Sequence, residues 1–361
     1  MTQEPSRPSP NGWLILDKRR GLGSTQAVAA VKRVLRKAGY GKVKIGHGGT
    51  LDPLAEGVLP IALGEATKLA GRMLDASTVY AFTIAFGEET DTLDMEGEVV
   101  AASERRPPLA AISAILEHFT GEIEQVPPAY SALKVDGRRA YDLARAGEEV
   151  ELAARRVTVH SLSLLRHSRE SGNPVGSPGA GELRLGPRFR GDDELGATGL
   201  YSSFATTAGR PDPFDPAAPL ELAESVTLLA QVSKGTYIRS LARDIAHALG
   251  TVGHVAYLRR TKAGPFTETH AISLDILEEI GNGARLEDHL LPMEAGLDGI
   301  PALNLDPESA QAARQGRVIS GMPYPDGLYL ATAGTVPVAL MELTGGTAKV
   351  VRGFNLPDTA E

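Results

Sequence analysis

The sequence predicts an α+β fold for most of the chain, followed by a small β-rich module. Segments rich in β-branched and aromatic residues are interspersed with amphipathic helices, without the steady strand–helix alternation that a parallel sheet requires. After Leu291–Pro292 the pattern changes to short apolar segments typical of strands, with one short helix among them. Hydrophobic residues make up 42% of the 361 residues, enough for a sizeable core.

The N-terminal half contains one helix with a clear apolar face. It carries Val28, Val31, Val34 and Leu35 on one side and most of its cations elsewhere. In order, the elements predicted here are a strand at Trp13–Leu16, the helix, capped by Ser24 or Thr25 and ending near Gly39, a Gly-rich loop at Gly46–Pro53, a helix at Glu65–Leu74, and a strand at Val79–Phe86 with Glu98–Ala101 pairing back on it.

The C-terminal half continues the mixed pattern. In order, it predicts helices at Pro108–Phe119 and Tyr141–Ala146, a strand at Val226–Val232, a helix from about Tyr237 to Leu249, a strand at His254–Thr261, and then the module with a helix at Pro307–Gln315 and strands near Ala302–Leu305, Leu328–Ala331, Val336–Glu342 and Ala348–Arg352.

Two segments do not have the composition of folded structure. Residues 1–10 are polar and Pro-rich, and residues from about 167 to 219 are rich in Gly, Pro, Ser, Arg and Asp without periodicity. Such segments bury too little apolar area to offset the entropy lost on ordering. We therefore expect a disordered N-terminus at 1–10, a catalytic domain at 11–292 with a disordered insertion at about 167–219, and a small module at 293–361.

The amino-acid composition excludes several kinds of functional site. There are no cysteines, which excludes disulfides, cysteine–zinc sites and thiol nucleophiles. No stretch approaches the roughly 20 apolar residues that span a bilayer, and residues 1–11 lack an apolar signal region. We expect a cytoplasmic enzyme with no membrane partner.

The charge is unevenly distributed along the chain. The net charge is −8, which argues against a nucleic-acid partner, yet residues 1–50 hold ten bases and two acids. A local basic patch can bind phosphates on an otherwise acidic body, because counterion release is local. A solvated helix face explains the same charges, so both interpretations stay open.

The string from His47 to Pro60 places an aspartate in a stiff turn. Pro53 fixes its own φ and biases Asp52 towards an extended conformation, and glycines lie on both sides. A carboxylate held in this way can act as a nucleophile or as a base. It can equally accept hydrogen bonds from backbone donors in a local turn.

Three further strings combine charged residues with turns or tyrosines. Ser233–Leu241 predicts a strand end, a glycine turn and a helix start, which suits an anion or carboxylate but also an ordinary helix cap. His254–Thr261 predicts a strand with a basic end. Between Pro128 and Tyr141, bases alternate with tyrosines, a pattern typical of phosphate and base contacts or of a solvated loop.

Together and in this order, the four strings resemble the bacterial tRNA pseudouridine-55 synthases of the TruB type. The similarity runs from about Gly12 to Leu277, apart from 167–219. Its most specific parts are Gly-Thr-Leu-Asp-Pro with Gly-Val-Leu-Pro downstream, and Ser-Lys-Gly-Thr-Tyr-Ile-Arg. The resemblance implies a mixed, largely antiparallel sheet with flanking helices, and a PUA-like RNA-binding module at the C-terminus.

The resemblance also implies roles for single residues. Asp52 matches the catalytic aspartate, Arg239 its ion-pair partner, and Tyr80 the tyrosine that stacks on the target base and is a candidate proton acceptor. The substrate-binding residues that it implies are His47, Tyr237, Leu258, Lys234, Lys18, Lys134 and Arg138. Tyr80 and Leu258 also fit as core residues of strands, and His47 as a turn cap.

The reaction that the family catalyses needs neither cofactor nor metal. Pseudouridine has the atoms of uridine, with the glycosidic bond moved from nitrogen to carbon. An ionised carboxylate attacks C6 of the uracil or C1′ of the ribose, and a buried one needs a cation such as Arg239 to stay ionised. The uridine lies in the folded T loop of tRNA and is flipped out at a cost of a few kcal/mol.

The implied partner is therefore the T-arm of tRNA, bound by a monomer without an obligatory protein partner. Lys18, with Lys134 and Arg138, is expected to border the RNA cleft, together with Arg19, Arg20, Lys42, Lys44 and Arg139. The chain departs from the family where Asp-Lys-Pro-x-Gly is common, since residues 17–21 read Asp-Lys-Arg-Arg-Gly.

Three other functions compete with this one. A related guide-RNA-dependent synthase of ribosomal RNA would be expected to be more basic. An RNA chaperone with a vestigial site would not need Asp52, Tyr80 and Arg239 together. A hydrolase with an aspartate nucleophile would need a partnering histidine or metal cluster, which the sequence lacks.

Overall fold

The computed structural model describes residues 7–356 except 74–75, 132, 136, 149, 151 and 166–220. Contacts divide the chain into one unit of residues 1–165 and 222–361 and a second of residues 166–221, and every helix and strand named here belongs to the first. The segment 167–219, predicted to be a disordered insertion, lies outside the described residues, as do residues 1–6.

Nineteen strands are present in the described part of the chain. They are β1 Gly12–Lys18, β2 Ile45–His47, β3 Glu56–Leu63, β4 Thr78–Phe86, β5 Glu88–Thr90, β6 Val99–Ala102, β7 Gly121–Gln125, β8 Lys134–Val135, β9 Arg138–Arg139, β10 Arg155–Leu164, β11 Ser225–Val232, β12 Gly253–Ala263, β13 Phe266–Thr267, β14 Leu290–Leu291, β15 Ala302–Asn304, β16 Ile319–Ser320, β17 Gly327–Ala333, β18 Val336–Thr344 and β19 Thr347–Gly353.

The described part of the chain also contains α-helices, most of which are short. They are α1 Ser24–Lys37, α2 Ala70–Met73, α3 Leu109–Ile115, α4 Ala140–Arg145, α5 Ile238–Ala248, α6 Leu274–Gly281 and α7 Pro307–Arg314. Single 3₁₀ turns occur at Gly64–Lys68, Leu116–Phe119, Glu268–His270, Leu286–His289 and Met293–Gly296.

The central sheet has ten strands and is mixed. Eight run in the order β14-β1-β3-β12-β4-β11-β10-β7, with β2 paired to β3 and β13 to β12. The pairs are antiparallel except β3 with β12, where Arg259 lies opposite Glu56. The prediction of a mixed, largely antiparallel sheet is confirmed.

Both faces of this sheet are covered by apolar side chains. On β1, Leu14 and Leu16 belong to the large core cluster, whereas Trp13 and Ile15 belong to a second cluster on the opposite face. Side chains of a strand alternate between the two faces, so a strand that is buried on both faces is a continuous apolar run. This explains why Trp13–Leu16 shows no polar alternation.

Two sequence predictions need correction. The N-cap of α1 is Gly23, whose N–H donates to the side-chain oxygen of Gln26 at 2.8 Å, and neither Ser24 nor Thr25 caps the helix. Strand β6 pairs with β5 and not with β4. Strand β4 has no free edge, because β11 and β12 occupy its two sides.

The C-terminal residues form a separate five-stranded sheet, which confirms the predicted small β-rich module. Its order is β15-β17-β18-β19-β16, and α7 packs on it through Ala310 and Ala313. Its other side contributes Leu330, Leu340 and Phe354 to the cluster that contains Trp13. The predicted domain boundary near residue 293 stays a prediction.

The predicted disorder of residues 1–10 does not extend to Arg7. The N–H of Arg7 donates to the carbonyl of Gly39 at 3.2 Å, and its guanidinium lies 5.5 Å from the ring centroid of Tyr40. A backbone hydrogen bond and a cation–π contact give this residue defined partners. Among the described residues, no helix is long and apolar enough to cross a membrane.

Candidate active site

Asp52 and Arg239 form an ion pair at the sheet, as the sequence predicts. Nη2 of Arg239 lies 3.0 Å from Oδ2 of Asp52. The arginine side chain is 6% exposed and the aspartate side chain 37% exposed, so the carboxylate alone is open to a substrate. A guanidinium this close attracts the carboxylate and restricts its orientation.

The loop that carries Asp52 is fixed on both sides of the aspartate. The hydroxyl of Ser24 accepts from the N–H of Leu51 at 2.9 Å and donates to its carbonyl at 3.0 Å. The carbonyl of Pro53 accepts from the N–H of Gly21 at 2.8 Å. Gly49 has φ +131°, a conformation that side chains with a Cβ rarely adopt. Gly21 and the first residue of α1 therefore hold the aspartate loop from outside.

Arg239 is held by more than its ion pair with Asp52. It lies in the first turn of α5, where Nη1 donates to the carbonyl of Thr92 at 2.9 Å and Nη2 to that of Tyr130 at 3.0 Å. Nη1 also lies 3.3 Å from Oδ2 of Asp94. The fixed fork of a guanidinium can serve several acceptors in one plane, so Arg239 has little freedom to move.

Asp94 is the second carboxylate of this network and is itself buried. Its Oδ1 accepts from the hydroxyl of Thr92 at 2.6 Å and from the N–H of Glu96 at 3.0 Å. The preceding residue, Leu93, has φ +62°, which is costly for a residue with a branched side chain. The tight turn at Leu93 thus places Asp94 against the arginine.

A cleft of about 320 Å³ opens in front of the ion pair. It brings together six of the residues predicted for the site. These are Asp52, Arg239, Tyr80 on β4, Tyr237 at the N-cap of α5, Leu258 on β12 and Lys234 in the turn between β11 and α5. The volume is that of a small-ligand site, and one nucleoside fits such a space.

His47 lies on β2 and not in a loop. It pairs with Ile61 of β3, and its Nδ1 is buried without a hydrogen-bond partner. Burial, with a smaller contribution from Arg260, lowers the pKa of His47 below its usual value. The ring is therefore neutral near pH 7, and its contact with RNA stays a prediction.

Residues 33–173 match the model of the TruB family pseudouridylate synthase (N terminal domain), and residues 239–298 match that of the tRNA pseudouridylate synthase B C-terminal domain. The tRNA pseudouridine synthase B of Novosphingobium aromaticivorans is 60% identical over 97% of this chain and 99% of the relative. That of Zymomonas mobilis is 49% identical over 96% of this chain and 98% of its own length.

The chain belongs to the TruB family of pseudouridylate synthases. A solved H/ACA RNP bound to a substrate RNA containing 2′-deoxyuridine aligns with a TM-score of 0.61 over 96% of this chain and 86% of that chain. At 22% identity this likeness shows the fold alone. It is the pseudouridine synthase fold with a PUA-like C-terminal module.

Lys18 does not have the role predicted for it in this TruB-family site. It is fully buried, and its Nζ donates to the carbonyls of Arg19 at 3.2 Å, Leu22 at 2.6 Å and Pro53 at 3.1 Å. Its three donors are all used, so it cannot bind a phosphate of the RNA. Burial lowers the pKa of Lys18 to about 8, against the opposing attraction of Asp52 and Glu56. Lys18 therefore links residues 19–22 to the loop that carries Asp52.

The remaining predicted cations lie on the surface. Lys134 and Arg138 are exposed on the β8–β9 hairpin and do not line the cleft, and Arg138 lies 2.9 Å from Oε1 of Glu148. Arg19 also has an exposed acidic partner, Asp275. Other exposed bases expected to border the RNA cleft are Arg20, Lys42, Lys44 and Arg139. Their contact with RNA stays a prediction.

Three residues of the TruB-family site were missed by the sequence analysis. Asp94 lies outside the four strings, Ser24 is expected only as a helix cap, and Arg155 has no predicted role, yet it lines the cleft beside Lys234. A signal existed for Arg155. Arg155 and Arg156 are consecutive at the start of strand β10, whose side chains alternate between the two faces of the sheet. One of the two arginines must therefore point towards each face. Within the described ranges, no group of three His, Cys, Asp or Glu side chains could hold a metal.

Proposed function

We propose that this chain isomerises the uridine at position 55, in the T loop of tRNA, to pseudouridine, with Asp52 as the nucleophile. The observation that carries the proposal is the Asp52–Arg239 ion pair at the base of a nucleoside-sized cleft. The relatives at 60% and 49% identity are both tRNA pseudouridine synthases B, and they match nearly the whole chain.

The reaction moves one bond and leaves the composition of the nucleoside unchanged. The bond between N1 of the uracil and C1′ of the ribose breaks, and a bond between C5 and C1′ forms. A proton leaves C5 and N1 gains one. The Asp52 carboxylate attacks C1′ or C6, the N1–C1′ bond breaks, and the base turns within the cleft. The bond to Asp52 breaks as C5 joins C1′ or afterwards, which restores the carboxylate. Neither route changes the oxidation state of the nucleoside.

The side chains around Asp52 suit these steps. Tyr80 lies on the cleft wall, where its ring can stack on the flipped uracil and its hydroxyl can accept the C5 proton. Leu258 and Tyr237 form apolar walls that exclude water from the reacting atoms. Excluding water strengthens the attraction between Asp52 and Arg239 and prevents hydrolysis of a covalent intermediate.

Exposed bases are expected to supply positive charge for the RNA backbone. The exposed bases Arg20, Lys42, Lys44, Lys134 and Arg139 lie on the surface of the described part. Each phosphate contact that is lost lowers the salt slope of binding by about 0.7 to 0.9. If reversing the charge of several of these bases leaves tRNA affinity and its salt dependence unchanged, these bases do not contact the RNA.

The proposed function is tested by incubating the protein with an unmodified tRNA transcript and mapping pseudouridine. We expect conversion at position 55 without any added protein or guide RNA. Conversion only when a guide RNA and accessory proteins are present would instead favour a guided synthase. Binding to tRNA without any conversion would favour an RNA chaperone and reject the proposal.

A further inference from the structure

Arg155 is the first residue of β10 and lies on the wall of the cleft next to Lys234 and Tyr237. Its guanidinium carbon is 4.7 Å from the ring centroid of Tyr237, and its Nη2 donates to the carbonyl of Gly235. A ring face on one side and a carbonyl at one end fix the plane of the guanidinium. The group is therefore preorganised before any ligand arrives.

The charge of Arg155 is not neutralised by the protein. Within the described part of the chain, no carboxylate lies within ion-pair distance of it, and its Nε is buried without a hydrogen-bond partner. A buried donor without an acceptor destabilises the folded protein. By contrast, the next residue, Arg156, is exposed on the other face of β10 and lies 3.5 Å from Glu122 and 3.7 Å from Glu124.

The cleft as a whole has an excess of cations. Its walls include one carboxylate, Asp52, and four bases, Arg155, Lys234, Arg239 and Arg260. Arg239 bonds Asp52 and Asp94, and Arg260 donates to the carbonyls of Val58 and Gly49. Arg155 therefore adds positive charge to the cleft beyond what the ion pair requires.

We propose that Arg155 binds a backbone phosphate next to the flipped nucleotide and so positions its ribose against Asp52. The proposal rests on the proposed function, because it takes the ligand to be a nucleotide of RNA. Uracil and ribose are uncharged, so the phosphodiester is the group of a nucleotide that an arginine recognises. The planar fork of a guanidinium matches two phosphate oxygens, which a lysine cannot do.

Arg155 is thus a positioning residue, and its role differs from that of a purely structural arginine. A structural arginine would only hold Tyr237 and the turn at Gly235, and its loss would weaken binding of every RNA equally. A phosphate-binding arginine would lose its effect when the phosphate it contacts is made neutral. A double-mutant cycle between protein and RNA separates these two roles.

The experiment uses T-arm stem–loop RNAs that carry one uncharged methylphosphonate linkage, either 5′ or 3′ to the target uridine. The affinity of each RNA is measured for the full-length wild type, for Arg155→Gln and Arg155→Lys, and for the neighbouring control Arg156→Gln. We expect one neutral linkage to weaken binding to the wild type on the order of 10-fold. The same linkage should leave binding to Arg155→Gln unchanged, and Arg155→Gln should lower the salt slope by about 0.7.

The outcomes separate this inference from the proposed function. Conversion of the unmodified RNA by the wild type tests the function by itself. If the wild type converts it but the neutral linkages weaken Arg155→Gln as much as the wild type, Arg155 binds no phosphate and the inference fails. It also fails if neither linkage weakens the wild type, a result that does not depend on how any variant folds. Arg156→Gln should respond to the linkages as the wild type does.

Discussion

The guanidinium of Arg239 lies between two carboxylates, with Nη2 3.0 Å from Asp52 and Nη1 3.3 Å from the buried Asp94. The two carboxylates share one cation, and only Asp52 is open to the cleft. Asp94 therefore restricts the orientation of the arginine, and the arginine in turn restricts that of Asp52.

Replacing Asp94 should damage catalysis although this residue is not exposed to the cleft. In Asp94→Asn the arginine keeps Asp52 as its sole carboxylate partner, so it shifts towards Asp52 and lowers the reactivity of that carboxylate. We expect the free energy of unfolding to fall by about 1 to 3 kcal/mol and single-turnover conversion to slow. Glu96→Gln, exposed in the same loop, is the control and should behave as the wild type. Normal turnover by Asp94→Asn would show that Asp94 does not orient the arginine.

Arg239→Lys should not preserve function, although it preserves charge. The arginine serves two carboxylates and the carbonyls of Thr92 and Tyr130, and a lysine has neither the reach nor the fork for these four groups. Leaving buried Asp94 poorly paired should cost about 3 to 5 kcal/mol of stability. Chemical denaturation and single-turnover assays measure both losses. Arg243→Lys, one turn along α5, is the matched control, and equal behaviour of the two variants would contradict the account.

Ser24→Ala should loosen the aspartate loop. The hydroxyl of Ser24 is buried and bonds both backbone groups of Leu51, the residue before Asp52. Without it, two buried backbone groups lose their partner, at about 1 to 3 kcal/mol. Because a small displacement of a reacting group is costly, turnover should fall by about 10-fold to 100-fold, with tRNA affinity little changed. The exposed neighbour Thr25→Ala is the control, and a rate in Ser24→Ala equal to that of the control would show that this contact is not needed.

His47 should make stability sensitive to acid. Burial lowers its pKa in the folded state below 6.5, so the unfolded chain binds the proton more readily. Its contribution to stability is present above pH 6.5 and is lost as the pH falls through that value towards the folded pKa. Urea unfolding at about pH 7.5 and about pH 5.5 should show a larger acid loss for the wild type than for His47→Gln. The exposed His118→Gln serves as control, and equal acid loss in all three proteins would mean that His47 does not titrate in this way.

Contiguous strings in the sequence predict the Asp52–Arg239 ion pair. They do not predict the contacts that other distant segments make with it. Asp52 and Arg239 lie in strings whose spacing is fixed by a turn and by a helix start. Asp94 reaches Arg239 through a turn at Leu93 with positive φ, which leaves no pattern in composition. Its position therefore depends on the tertiary fold.

The error over Lys18 was avoidable in part. Lys18 follows Leu14 and Leu16 at a spacing of two, so it belongs to the face of β1 that these leucines bury. Its charge suggested an RNA contact, and strand parity would have argued for a buried lysine. The alternation of side chains along β1 does not show that three carbonyls surround the Nζ of Lys18.

The predicted pairing of β6 with β4 is wrong for a different reason. Adjacent segments often pair, but β4 is already flanked by β11 and β12, which come from much later in the chain. Non-local pairings of this kind are decided by the whole sheet. Sequence periodicity can identify each strand but not its neighbours.

The central claim is that Asp52 is the nucleophile, and Asp52→Asn tests it most directly. The amide keeps the shape of the side chain and removes the attacking charge, while the contacts that bind RNA lie elsewhere. Single-turnover conversion of an unmodified tRNA transcript should fall on the order of 10³-fold or more, with tRNA affinity nearly unchanged. Substantial pseudouridine formation by folded, tRNA-bound Asp52→Asn would contradict the account.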